Sequence, residues 1–177
     1  MQSKTTLSIT AVAIVIIVAG VVWLSAQNMS QEEVNKSAGT QIPAVSLTDY
    51  EGNEVSLGDF SDKPLVINSW AVWCPFCVDE LPDFVMVQKE FEDQVTFIAI
   101  DRAEPRDAAK EFTDGLGITD DLVFLLDPRD SFYQAIGGFS MPETLFVNAD
   151  GTIHFHKRGP MPVEEIRQRT QELIQQQ

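Results

Sequence analysis

The sequence predicts an α/β domain: a central mixed sheet with helices on both faces, closing in an antiparallel strand pair. Three observations predict it. Short apolar runs of β type alternate with stretches whose apolar residues recur every three or four positions. The last two β-type runs are joined by Asn148-Ala149-Asp150-Gly151, a turn too short for a crossover. Residues 42–177 form one block of ordinary domain size, able to bury its own core, without internal repeat or low-complexity segment.

The elements follow in order. Residues 7–24 read LSITAVAIVIIVAGVVWL, uncharged and long enough to cross a bilayer, so residues 1–27 are a membrane anchor or a signal peptide. Signal cleavage needs small residues at −3 and −1, and cuts after Ala26 or Ser25 would place Leu24 or Trp23 at −3, which favours a retained anchor. Lys4 before the span and Glu32 and Glu33 after it set the N-terminus on the cytoplasmic side. The chain is then expected to be a single-pass cell-membrane protein with an extracytoplasmic domain. Residues 28–41 are polar and aperiodic, a tether. Val45, Leu47, Val55 and Leu57 alternate around Glu51-Gly52-Asn53 and predict a hairpin. Leu65 to Trp70 is a buried-strand candidate, and Val95 to Ile100, Leu122 to Leu126, Thr144 to Val147 and Thr152 to His156 are others. Between them, Cys74 to Asp93 places Cys77, Leu81, Phe84, Val85, Gln88 and Phe91 on one helical flank, with Pro82 expected to kink it. Glu104 to Leu116, stopped by Gly115 and Gly117, and Val163 to Ile174 are the remaining helices.

The net charge of −15 falls wholly within residues 42–177, because Lys4 and Lys36 offset Glu32 and Glu33. Nucleic acid and anionic lipid surfaces are therefore poor partners. The acids are dispersed, a pattern that suits solubility better than a dedicated basic partner.

Both cysteines of the chain lie in Trp73-Cys74-Pro75-Phe76-Cys77, where an apolar run meets a helical pattern. A pair at i and i+3 at a helix start can bridge without backbone movement. The first sulfur there also lies near free N–H groups and the positive dipole end, which favour thiolate. Half of a zinc site is the alternative, but a second CxxC or Cys/His pair is missing from the sequence, and no metal is expected. A purely structural disulfide is also a weak reading, since so small a loop restricts the unfolded chain very little.

The segment NSWAVWCPFCVDELP resembles the active-site stretch of thioredoxin-fold proteins, specifically the membrane-anchored TlpA-like and ResA-like thiol-disulfide oxidoreductases. A second landmark is Gly138-Phe139-Ser140-Met141-Pro142-Glu143-Thr144, where that family carries a cis-proline opposite the CxxC. The resemblance spans the domain and implies a thioredoxin-like fold with an N-terminal hairpin and an extra strand-helix unit, and the sequence offers candidates for both. It implies Cys74 as nucleophile, Cys77 as resolving thiol and Glu80 as their acid/base group. Glu80 could equally be one of three acids, with Asp79 and Asp83, that complement the helix dipole. Ordinary thioredoxins place a buried aspartate where this chain has Asn68, which strengthens the case for Glu80. Trp73, Pro75, Phe76, Met141 and Pro142 are the expected substrate-facing residues, Met141 through backbone pairing to a peptide. Trp70 reads as core.

No cofactor is implied. His154 and His156 alternate on one strand and so share a face. Copper-delivery relatives combine a histidine with paired cysteines, but they space those cysteines by three residues, and solvent-facing histidines are the simpler reading. One departure stands out: the family usually has proline just before the second cysteine, whereas here Pro75 follows the first and Phe76 takes the proline's place. The intervening pair tunes reduction potential, and the proline-first order also occurs in exported oxidants. The leading expectation is an extracytoplasmic disulfide reductase acting on exported proteins, apocytochrome c among the candidates, with electrons from an integral membrane thiol-disulfide protein. The alternatives are an oxidant of exported thiols, a peroxiredoxin-type peroxidase and a copper-binding module. The peroxidase would need a threonine where Ala71 stands.

Overall fold

The computed structural model describes residues 38–176 together with residues 14, 16–21 and 23, which are helical. Among the described residues no helix is long and apolar enough to cross a membrane. Most of the expected span over residues 7–24 and most of the tether fall outside them. Residues 37–177 form one of two compact units of the chain.

That unit is a seven-stranded mixed sheet in the order β2-β1-β5-β4-β3-β6-β7. The strands β1 (Ser46–Thr48) and β2 (Glu54–Ser56) make the expected hairpin, antiparallel with Leu47 opposite Val55. Asp49 closes it by accepting from the Glu51 and Asn53 amides at 3.0 and 2.8 Å, and Gly52 supplies φ 89°. Leu57 belongs to a 3₁₀ turn, Leu57–Phe60, capped by Ser56, rather than to the strand.

The central strand β3 (Leu65–Trp70) is parallel to β4 (Thr96–Arg102) and antiparallel to β6 (Glu143–Val147), and all six of its residues are buried. That is why it reads as a continuous apolar run: both faces are covered. Leu65 and Ile67 pack with Ile98, Ile100, Leu125 and Leu145 on one face, and Trp70 packs with Ala99, Phe124 and Leu126 on the other. β5 (Val123–Asp127) is parallel to β4, and β7 (Ile153–Arg158) is antiparallel to β6 at the edge.

Three helices cover the Trp70 face: α1 (Pro75–Phe91), α2 (Arg106–Leu116) and, packed on α1, the C-terminal helix (Val163–Gln175). Gly117 at φ 69° ends α2 by donating to the Asp114 and Thr113 carbonyls, while Gly115 lies inside the helix and does not stop it.

The other face carries a short helix that periodicity could not show, α3 (Ser131–Ala135), which makes the C-terminal helix α4. It is nucleated by the buried Asp127, whose carboxylate accepts from the Ser131 and Phe132 amides at 2.9 and 2.7 Å. The Tyr133 ring of α3 lies under the Arg102 guanidinium, 3.5 Å from its centroid, and its hydroxyl donates to the Ser140 carbonyl at 2.5 Å. A Cβ on Gly138 would come 2.5 Å from that ring, held on both sides. Gly138→Ala is therefore expected to cost about 1–3 kcal/mol of stability, read as a lower denaturant midpoint.

Candidate active site

The site is built where β3 hands over to α1. Cys74 is the N-cap of α1, with Pro75 at its first position, where a missing N–H costs nothing. The Cys74 sulfur accepts from the Cys77 amide at 3.2 Å, so a helix N-terminal donor already faces it. Cys74 and Cys77 form a disulfide, Cα atoms 5.3 Å apart, with Cys77 fully buried and Cys74 nearly so.

Around this buried bridge the surface is apolar. Trp73, Pro75 and Phe76 are exposed, and Phe139, on the loop before β6, is 71% exposed beneath the Arg158 guanidinium. The Met141–Pro142 peptide bond is cis. Pro142 is buried, and Met141 packs against the cluster that contains both cysteines. The structure thus brings Met141 to the cysteines that Trp73, Pro75 and Phe76 flank, with Phe139 exposed two residues before Met141.

Glu80 does not share the surroundings of Asp79, which is exposed. It is 4% exposed, one helical turn beyond Cys77. Its Oε1 accepts from Asn68 Nδ2 at 2.8 Å and its Oε2 from the Met161 amide at 3.1 Å. Burial pushes its carboxyl up from 4.5 to about 7, against the lowering action of the Met161 and Asn68 donors. Asn68, on β3, also donates to Thr144 Oγ1 at 3.1 Å, which ties the carboxyl to the cis-proline strand. Phe76, Asp79, Asp83 and the Pro160–Pro162 segment line an open groove that leads to Glu80.

The two histidines part company, contrary to the expectation that they share a face. Phe146 pairs with Phe155, and then Val147 pairs with Ile153, so His154 is the extra residue of a β-bulge. His154 is partly exposed, on the side of Glu172 of α4. His156 is not solvent-facing: it is fully buried, its Nε2 2.6 Å from Glu143 Oε2.

Sequence reasoning missed three acids. Glu143, directly after Pro142, is buried and accepts from the Phe139 and Ser140 amides at 2.8 and 2.9 Å. Glu104, after β4, accepts from the Val72 amide at 2.6 Å. Asp101, at the end of β4 and level with Trp70, is 1% exposed, and burial with the neighbouring Glu104 carboxylate pushes it up to about 8. The only sequence signal was position: Glu143 beside the suspected cis-proline, and Asp101 ending an apolar strand.

Residues 37–173 match the model of the Redoxin family. The chain belongs to the Redoxin family. It is 26% identical to the thiol-disulfide oxidoreductase ResA of Geobacillus thermodenitrificans, over 95% of this chain and 96% of that protein. It is 30% identical to ResA of Halalkalibacterium halodurans over 77% of each. The thiol:disulfide interchange protein DsbE of Haemophilus influenzae is 29% identical, over 68% of this chain and 66% of that protein. A solved structure of a secreted Mycobacterium tuberculosis disulfide oxidoreductase superposes with TM-score 0.64 at 25% identity, covering 73% of this chain and 96% of that one. A putative DsbE from Chlorobium tepidum shares the fold, with TM-score 0.71 at 19% identity over 77% and 97% of the two chains. This Redoxin is a protein thiol-disulfide oxidoreductase of the ResA and DsbE type, with a thioredoxin-like fold and a Cys74–Cys77 pair.

Proposed function

We propose that the chain is an extracytoplasmic disulfide reductase that acts on exported proteins, apocytochrome c among them, and is itself re-reduced by an integral membrane thiol-disulfide protein. The observation that carries this reading is Glu80, a buried carboxyl one turn from the buried thiol, held by Asn68 and the Met161 amide. A base poised near neutrality is what a buried resolving thiol requires. The extracytoplasmic placement and the anchor over residues 1–27 rest on the uncharged run in the sequence. The described helical residues there, including Ile14, Ile16, Ile17 and Trp23, expose apolar side chains suited to lipid.

In the reduced protein the Cys74 thiolate attacks one sulfur of the client disulfide, and the other client sulfur leaves as thiolate. Glu80 takes the Cys77 proton, and the Cys77 sulfur attacks Cys74 Sγ, releasing the second client thiolate. Two electrons pass to the client and the protein is left with the Cys74–Cys77 disulfide seen here. Met141 offers backbone pairing to the client strand while Trp73, Pro75 and Phe76 cover its side chains.

Glu80→Gln tests the proton step. The reductase rate of the natural chain should rise with pH through about 7, where the carboxyl ionises. The variant should lose that rise and run about a hundredfold slower. Stability carries the same signature. A carboxyl raised in the native state stabilises fully below its ordinary 4.5, and that contribution is lost as pH rises through about 7. The natural chain should lose about 3 kcal/mol between pH 4 and pH 8 that Glu80→Gln keeps, measured by denaturant titration at each pH.

A further inference from the structure

The strand-helix unit that contributes β4 and α2 reaches back to the redox loop at one point. β4 ends at Arg102, and the chain turns through Ala103 at φ 59°, a conformation that a residue with a Cβ adopts only at a cost. The Ala103 amide donates to the Asp127 carbonyl at 3.1 Å, which holds that turn in place. The next residue, Glu104, is half-buried, and its Oε2 accepts from the Val72 amide at 2.6 Å, across 32 positions of sequence. Val72 belongs to the short link between β3 and Cys74, which has one further tie of its own, from the Cys74 amide to the Ala71 carbonyl at 3.1 Å.

The charges around this contact do not neutralise Glu104. Asp101 on β4 is a second acid, buried beside Glu104, and burial with that carboxylate pushes it up to about 8, so it is largely protonated at neutral pH and supplies no countercharge. Arg106 on α2 spends its guanidinium on Asp107 and on the Tyr50 carbonyl. Tyr50, from the hairpin, stays protonated, with burial pushing it to about 12. On α1, Glu80 is a further buried acid of the site.

The geometry points to Glu104 as a positioning residue for the redox pair: its carboxylate clamps the Val72 amide, fixes the link that carries Trp73 and Cys74, and holds negative charge two residues from the attacking sulfur. This rests on Cys74 being the attacking sulfur. The charge disfavours the Cys74 thiolate, opposing the helix N-terminus that favours it. A less stable thiolate makes the reduced form a better electron donor.

The test uses the full chain, reduced, as the natural sequence, Glu104→Gln and Glu104→Ala. Two quantities are measured: the pH dependence of Cys74 alkylation, followed by mass spectrometry, and the hydrogen exchange rate of the Val72 amide. In Glu104→Gln the carboxamide oxygen still accepts from Val72, so exchange at that amide stays close to the natural rate. The alkylation midpoint, read in an Asp101→Asn background so that Asp101 does not ionise in place of Glu104, moves to lower pH, and the rate on the acid limb rises about threefold or more. In Glu104→Ala the Val72 amide exchanges about tenfold faster or more. An unmoved midpoint in Glu104→Gln overturns the electrostatic part, and unchanged Val72 exchange in Glu104→Ala overturns the clamp. Should Glu104→Ala fail to fold, the carboxamide variant decides alone, since a merely structural role predicts no change in its midpoint. Neither readout depends on the direction of electron flow, so the reductase reading and this one can fail separately.

Discussion

Cys74→Ser is expected to lower thiol-disulfide exchange by more than about a thousandfold, while Cys77→Ala accumulates mixed disulfides with partner proteins in cells. The asymmetry follows from placement. Cys74 is the N-cap sulfur facing the Cys77 amide, flanked in the chain by the exposed Trp73, Pro75 and Phe76. Cys77 is fully buried beneath it and meets only an intramolecular partner. Removing the buried sulfur leaves attack intact and blocks release, so the intermediate persists. Non-reducing gels of cells that make the variant should show thiol-sensitive adducts, absent in a Cys74→Ser/Cys77→Ala double variant. A trap that recovers no protein would argue against protein clients altogether.

Glu143→Ala is expected to destabilise the fold by about 3–5 kcal/mol, the second large effect. Glu143 is 1% exposed and joins three things: the His156 ring, the Phe139 and Ser140 amides, and, at 3.9 Å, Arg158 Nε. Burial works to raise its carboxyl, but the His156 contact and the two amides outweigh it and hold the group below its ordinary value. A lowered native value stabilises fully above 4.5 and loses that contribution as pH falls below it, so this cluster is an acid-sensitive part of the fold. Alanine would leave two amides and a buried imidazole without their acceptor. Denaturant titration reads the loss, and Glu143→Gln, which keeps an acceptor for the loop amides, should lose less. The same loop carries Met141, proposed above to pair with a client strand. Exchange with a protein client should therefore suffer more than exchange with a small dithiol.

What the sequence revealed and what it hid divide along physical lines. The strand runs and the three long helices were legible because burial on a sheet or helix face repeats with period, and Gly117 and Gly151 punctuate it. α3 was hidden because five residues carry no period, and its nucleus is a side chain, Asp127, outside the helix. The histidines were misplaced because alternation assumes a regular ladder, and one extra residue at the bulge turns His154 away from His156. The CxxC and the proline loop were legible as motifs, and Glu80 was named through the family resemblance, but Asp101, Glu104 and Glu143 were not. Glu80 looked like Asp79 until the Met161 amide closed over it, a contact spanning 81 positions. Glu104 and Glu143 act through backbone amides, which leave no mark on the pattern of residue types.

The measurement that bears most directly on the reductase reading is the equilibrium reduction potential of the Cys74–Cys77 pair in the full chain, poised against glutathione and a dithiol buffer. The site opposes the helix N-terminus with two acids, buried Glu80 and half-buried Glu104, and Phe76 offers no donor to a thiolate. A value toward the thioredoxin end of the range, near about −270 mV, is expected. A value near the strongly oxidising end, about −120 mV, would contradict the account and make the chain an oxidant of exported thiols.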